Sequence, residues 1–183
     1  NGNIAEVMGH STTFIKRRPV VTEQGSLKAK GGPRKGRVTV DDDTNFLARF
    51  RNGSVGVFEL SRFCGGRRNY NTFQVYGSKG SLTFNLEQLN ELEIYNSEEA
   101  AGEQGYKTIS VTEAVHPYVD GWWPPGHILG YEHTFIHAIK DFLDCLEKGR
   151  MPRPNFEDGL QNQAVLNAVE RSAASRRWTK VTT

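Results

Sequence analysis

The segment Trp122-Trp123-Pro124-Pro125-Gly126-His127-Ile128-Leu129-Gly130-Tyr131 gathers the side chains best suited to recognise a small polar molecule. Trp and Pro keep their shape at small entropic cost, and a flat aromatic face matches the C–H face of a ring compound. Polar tips on His127 and Tyr131 then fix the orientation of hydroxyls, as a few polar groups do in an otherwise apolar pocket. Trp122, His127 and Tyr131 are therefore candidate substrate contacts. The competing reading is packing: the tryptophans cover a sheet and anchor the helix that follows. Two further candidates, Arg62 and Arg67, flank the turn between two strand-like runs, in Ser61-Arg62 and Arg67-Arg68-Asn69. A guanidinium donates in a fork to paired hydroxyls, a carboxylate or a phosphate. Both arginines also read as ordinary basic residues of a strand connection.

Other chemistries find less support. His133 and His137 stand at i, i+4, a spacing that metals accept, but Glu132 precedes the first His and no third ligand is fixed nearby. The expectation is exposed or interface histidines and no metal. No G-x-S-x-G elbow occurs, so a Ser-His-Asp hydrolase is not indicated. Gly31 and Gly36 have the spacing of a phosphate loop, yet Arg37-Val38 follow where Lys and Ser/Thr are required. No G-x-G-x-x-G exists either, so no residue is assigned to dinucleotide binding. The stretch from Lys16 to Arg37 is basic, with Glu23 as its sole counter-charge. It reads as a solvated, mobile excursion between strands, with an anion or a neighbouring subunit as a possible contact. Aromatics for base stacking are absent there.

The elements that must position these residues follow from periodicity. Ala5–Phe14 reads as a strand. The runs 45–50 and 55–60 alternate on either side of Asn52-Gly53, a strong hairpin signal. Runs at 71–76, 81–84, 92–95 and 107–111 add short strands, with Gly77-Ser78-Lys79-Gly80 as a turn. Phe135, Ile139, Phe142, Leu143 and Leu146 recur at helical spacing, and Gly149 supplies a stop. Asn155 or Asp158 caps a second helix whose stripe is Leu160, Ala164, Ala168 and Val169. Trp178–Val181 reads as a last strand. Strands first and helices last give an α+β class: an open-faced, mostly antiparallel sheet with two C-terminal helices packed on one face. A sheet face left partly apolar invites pairing, so a homo-oligomer through that face is expected.

At 183 residues the chain has the length of one domain, enough to bury roughly 70% of its unfolded surface. A net charge of +2 gives no electrostatic case for nucleic acid. No run approaches the ~20 apolar residues of a membrane span, and no leader-like apolar segment opens the chain. Cys64 and Cys145 lie far apart without metal-site or disulfide spacing. A cytoplasmic location is the default expectation.

Together these residues resemble a known pattern, the C-terminal domain of the glucose–fructose oxidoreductase / inositol dehydrogenase (Gfo/Idh/MocA) family. The matching pieces are Asn3-Ile4-Ala5-Glu6-Val7, Asp42-Asp43, Phe50-Arg51-Asn52-Gly53-Ser54-Val55-Gly56, Ser61 and Tyr76-Gly77-Ser78-Lys79-Gly80-Ser81-Leu82. They continue with Pro154-Asn155-Phe156-Glu157-Asp158-Gly159 and Ser172-Ala173-Ala174-Ser175-Arg176-Arg177-Trp178-Thr179-Lys180-Val181. Each is short; their order and spacing are specific, and they span nearly the whole chain. The stretch Trp122–Glu132 looks most like members that oxidise free sugars or anhydrosugars.

The resemblance implies a parent enzyme with an N-terminal Rossmann domain that binds NAD or NADP, and substrate held between the two domains. The family's catalytic Lys, in a Glu-Lys-Pro motif, and its Asp…His pair precede the stretch that aligns with Asn3-Ile4. Neither has a counterpart here, and His10 falls after that stretch. The expectation is therefore a single substrate-binding and oligomerisation domain over 1–183, lacking the Rossmann half and inactive alone. Its partners would be a sugar or polyol and its own N-terminal domain. The alternative is a non-catalytic carbohydrate-binding or scaffold domain.

Overall fold

The computed structural model describes residues 3–25 and 28–183. Asn1-Gly2, where the search for a leader begins, and Ser26-Leu27 of the basic stretch lie outside them. In chain order the strands are β1 (Ile4–Thr12), β2 (Arg17–Gln24), β3 (Ala29–Arg37), β4 (Asp43–Phe50) and β5 (Val55–Ser61), followed by β6 (Thr72–Tyr76), β7 (Gly80–Asn85), β8 (Glu91–Asn96) and β9 (Lys107–Ser110). Helices α1 (Tyr131–Glu147) and α2 (Phe156–Ser175) and a short β10 (Thr179–Lys180) complete the chain. These fall into two compact units, Asn1–Gly65 with Arg153–Thr183, and Gly66–Pro152.

In the first unit an antiparallel sheet has the order β10-β1-β4-β5. Alternation decides its faces. Val7 and Ala48 pair across β1 and β4, Gly9 pairs with Phe46, and Phe46 pairs with Phe58. Val7, Phe46 and Ala48 meet Ala164, Ala168 and Val169 of α2 in a buried cluster. The Phe46 and Phe58 rings stack with centroids 4.4 Å apart. α2 lies close because both surfaces are small: a Cβ on Gly9 would stand 3.0 Å from Val169 Cγ1 and 3.1 Å from its carbonyl oxygen. Fully buried Ser172 completes the contact, accepting from the Gly9 N–H at 2.9 Å and donating to the Arg177 carbonyl at 2.6 Å.

The opposite face of this sheet is open. Met8, Leu47 and Val57 form one row across three strands, and Val57 is 81% exposed. In the next row Arg49 pairs with Glu6 at 2.7 Å and lies over the Trp178 ring at 4.3 Å. The Asn52-Gly53 hairpin forms as its dipeptide requires. The Phe50 N–H donates to the Ser54 carbonyl, and Asn52 Oδ1 accepts from the Ser54 N–H.

The second unit holds an antiparallel sheet in the order β6-β7-β8-β9. Val75, Leu82 and Ile94 pair in one row, and Phe73 pairs with Phe84 in another on the same face. α1 follows a long connection that carries a 3-10 turn at Val119–Gly121.

The α+β class and the late helices agree with the sequence reading, and Asn155 is the cap of α2, with Asp158 returning a bond to its N–H. The arrangement departs from it in two respects. First, the strands of the described residues fall into three sheets rather than one: β1, β4, β5 and β10 form the first, β6 to β9 another, and β2 pairs with β3 where the sequence reading expects an excursion. These last two strands have no apolar alternation to betray them. They pair because glycines face bulky partners: a Cβ on Gly31 would meet Pro19 Cβ at 2.6 Å. Second, the two helices belong to different units: α2 packs on β1 and β10 in the first, and α1 lies in the second. No residue of α1 is fully buried, and its stripe Phe135, Ile139, Phe142, Leu143 and Leu146 stands 48–61% exposed. Helical periodicity marks an apolar face without saying what covers it.

Candidate functional site

The connection between β9 and α1 is built into a fixed shape by side chains that bond across it. Asn90, just before β8, clamps Leu129 from both sides: its Oδ1 accepts from the Leu129 N–H and its Nδ2 donates to the Leu129 carbonyl, each at 2.8 Å. The Thr112 carbonyl accepts from the Gly126 N–H at 3.2 Å. At the start of α1, Gly130 has no side chain to cap the helix. His133 supplies half of a capping box instead, its Nδ1 accepting from the Gly130 N–H at 3.0 Å.

Trp122 sits at the centre. Its Nε1–H donates to His137 Nε2 at 2.7 Å, and its ring meets His133 edge-on with centroids 4.4 Å apart. Tyr118 stacks on the other side of His137, with centroids 4.3 Å apart and planes 13° from parallel. The Tyr118 hydroxyl donates to Asp141 at 2.6 Å. That bond, then burial, then the Asp141 charge raise the Tyr118 pKa above the ordinary phenol value, so the group stays a donor. One turn on, Lys140 and Asp144 pair at 2.5 Å, which lowers the Asp144 pKa and raises that of Lys140. Leu89, Asn90, His116, Tyr118, His133 and His137 help to line a cavity of about 210 Å³.

The expected site residues are distributed as follows. Trp122 is held inside the connection and serves as its anchor, the packing role weighed against substrate contact. His127 is exposed, with Nδ1 2.8 Å from the Pro124 carbonyl. A carbonyl only accepts, so Nδ1 carries the proton and Nε2 is left as a free acceptor. Tyr131 is exposed and sets its ring edge-on to Phe135. Trp123, 51% exposed, stands on the same segment. Arg67 belongs to the second unit, where it is engaged by Glu87 at 3.2 Å and by the Tyr70 ring at 3.8 Å. Arg62 belongs to the first unit, and its backbone N–H donates to the Asp42 carbonyl at 2.9 Å. None of the five lines the cavity. The residues that do, His116, Tyr118, His133 and His137, carry no familiar motif; the i, i+4 histidine pair is the one signal, and both of its rings meet Trp122. Among the described residues no group of three or more His, Cys, Asp or Glu is placed to hold a metal ion.

This arrangement matches known proteins along its length. The model of the oxidoreductase family's C-terminal alpha/beta domain (Gfo/Idh/MocA) fits residues 11–181. The chain belongs to this family. It is 36% identical over 185 residues to a levoglucosan dehydrogenase of Pseudarthrobacter phenanthrenivorans, covering 98% of this chain and 47% of that protein. A crystal structure of an oxidoreductase domain protein from Kribbella flavida is 47% identical, with a TM-score of 0.88, and covers 98% of this chain and 45% of that one. A levoglucosan dehydrogenase structure in complex with NADH and levoglucosan is 34% identical, with a TM-score of 0.87, over 99% of this chain and 46% of that one. The chain thus spans about half the length of these family members.

Proposed function

We propose that this chain is the substrate-contacting and subunit-pairing half of an NAD(P)-dependent dehydrogenase acting on a sugar or polyol hydroxyl. The observation that carries the reading is the match, over nearly the whole chain, to levoglucosan dehydrogenases, among them a structure solved in complex with NADH and levoglucosan. The dinucleotide, NAD or NADP, belongs to a Rossmann half elsewhere in the parent protein, together with the general base. When bound, the nicotinamide accepts hydride from the carbon whose hydroxyl is oxidised. The chain's own part is to bind and orient. Trp123 offers a flat face to a sugar ring, and His127 Nε2 and the Tyr131 hydroxyl meet its hydroxyls. Arg67 is held in place by Glu87 and Tyr70, which suits a fixed donor.

The open row Met8–Leu47–Val57 supports a homo-oligomer through the sheet face. The two thiols, unpaired in this structure, suit a reducing cytoplasm. Among the described residues no helix is long and apolar enough to cross a membrane.

The test is to assay the parent protein with NAD and NADP against free sugars, anhydrosugars and polyols, following reduced nicotinamide. Turnover of one class supports the reading. Sugar binding without turnover across the whole set would leave the non-catalytic carbohydrate-binding alternative.

A further inference from the structure

The hydrogen bonds around Trp122 fix the proton inventory of its neighbours. An indole N–H only donates, so His137 Nε2 must be a bare acceptor and the single proton of that imidazole sits on Nδ1. A second proton would go to Nε2, setting N–H against N–H at a 2.7 Å contact. The indole has no acceptor to offer in exchange, so the contact is lost rather than reversed.

What the contact holds is the loop. Trp122 adjoins Trp123 and lies five residues before His127, and its side chain reaches α1 through His137 and His133. We infer that His137 is a positioning residue: in its neutral form it fastens the Trp122 indole to α1 and so keeps the Trp123–His127 segment in the shape that meets substrate, and it releases that segment on taking a second proton. The inference rests on the functional reading above for its substrate, but the latch is a property of the chain alone.

The surrounding titratable groups set the terms. From the connection, Tyr118 stacks on His137 and lends its proton to Asp141; with its pKa raised it adds no charge near neutrality. From α1, the charged groups within a turn of His137 are Asp141, which accepts from Tyr118, and Lys140, which is paired with Asp144. His133 and His116 face the same cavity under the same demand, since each Nδ1 accepts from a backbone N–H, of Gly130 and of Glu113, at 3.0 Å. Glu132 Oε1 lies 3.6 Å from His133 Nδ1.

Two measurements test this. In the 183-residue chain carrying W123F and W178F, Trp122 is the sole tryptophan, and acrylamide quenching reports its access to solvent. Between about pH 7.5 and about pH 5.5 the quenching constant should rise roughly twofold or more as histidines take protons. H137Q, whose amide oxygen accepts from the indole without titrating, should hold it flat. In the parent enzyme, KM for the sugar should rise about 3- to 10-fold over the same range, the scale of one lost hydrogen bond, with kcat changing less, and H137Q should abolish that rise. A flat quenching constant in the chain with His137, or an equal rise in H137Q, overturns the latch. A KM that rises equally with and without H137Q overturns the positioning role. Quenching as expected in a parent protein that oxidises no sugar supports the latch and counts against the functional reading alone.

Discussion

Asp42 shows how one side chain holds several strands to a pH. Its carboxylate accepts from the N–H groups of Phe14 and Ile15 at 2.9 and 3.0 Å, and from Arg18 at 2.7 Å. The Ile15 bond is the largest influence, burial opposes it, and the Phe14 bond and the Arg18 and Arg62 charges add to it, so the pKa lies below the ordinary carboxylate value. A depressed folded pKa contributes stability that is fully present above the unfolded value, near ~3.9 for Asp, and is lost as pH falls through the folded value. The denaturation midpoint should therefore decline below about pH 4. D42N should lower the midpoint near neutrality and flatten that decline; an unchanged acid limb would place the titration elsewhere.

Ser172 is the complementary case, a buried hydroxyl with no charge. S172A leaves the Gly9 N–H and the Arg177 carbonyl without their partner and should cost about 1–3 kcal/mol, read from urea unfolding. At the candidate site, H127A in the parent enzyme should reduce kcat/KM for the sugar by about 3- to 10-fold while leaving dinucleotide affinity intact. Unchanged kinetics with a lower melting temperature would make that histidine structural. Sequence singled out His127 and Tyr131 because polar tips on an aromatic loop are visible in residue types. It assigned Trp122 to substrate as readily as to packing, since nothing local tells an indole N–H that it will find His137 fifteen positions on.

Elements were legible where their residues face one way and are covered by the chain itself. β1, β4 and β5 alternate, α2 carries its own cap and small-residue stripe, and all four lie close to where periodicity puts them. β2 and β3 were hidden because their pairing depends on the room left by glycines and not on an apolar face. α1 was visible as a helix, but its cover was not, because an amphipathic pattern specifies only that a partner exists. Its half-exposed stripe carries a measurable consequence. The 183-residue chain should bind a hydrophobic dye, and replacing Ile139 and Leu146 by Glu should weaken that binding with little change in melting temperature, since neither side chain is buried. A large fall in melting temperature would show that the stripe is already covered. The cap of α2 is also open to test: N155A should cost about 1 kcal/mol.

At the scale of the molecule, family and division of labour are tied together by length. With the glycine fingerprint and the Glu-Lys-Pro lysine both missing from its sequence, the 183-residue chain should show no tight NAD(H) binding in calorimetry. Low-micromolar affinity would contradict the assignment of the dinucleotide to another domain. Pairing through the open sheet face predicts a dimer or larger species by light scattering, and V57E should shift it toward monomer.

The bond between Gly9 and Ser172 joins residues 163 positions apart, and it dictates an order of events during synthesis. The first unit is made from both ends of the sequence, with all of Gly66–Pro152 threaded between. On the ribosome, β1, β4 and β5 emerge early and must wait, their inner face bare, until α2 and β10 have been made. The β6–β9 sheet, whose partners are close in sequence, can close first. The stretch of time in which Val7, Phe46 and Phe58 stand uncovered is thus set by the translation of some ninety intervening residues, and it is in that interval that a nascent chain of this fold is most exposed to aggregation or to capture by a chaperone.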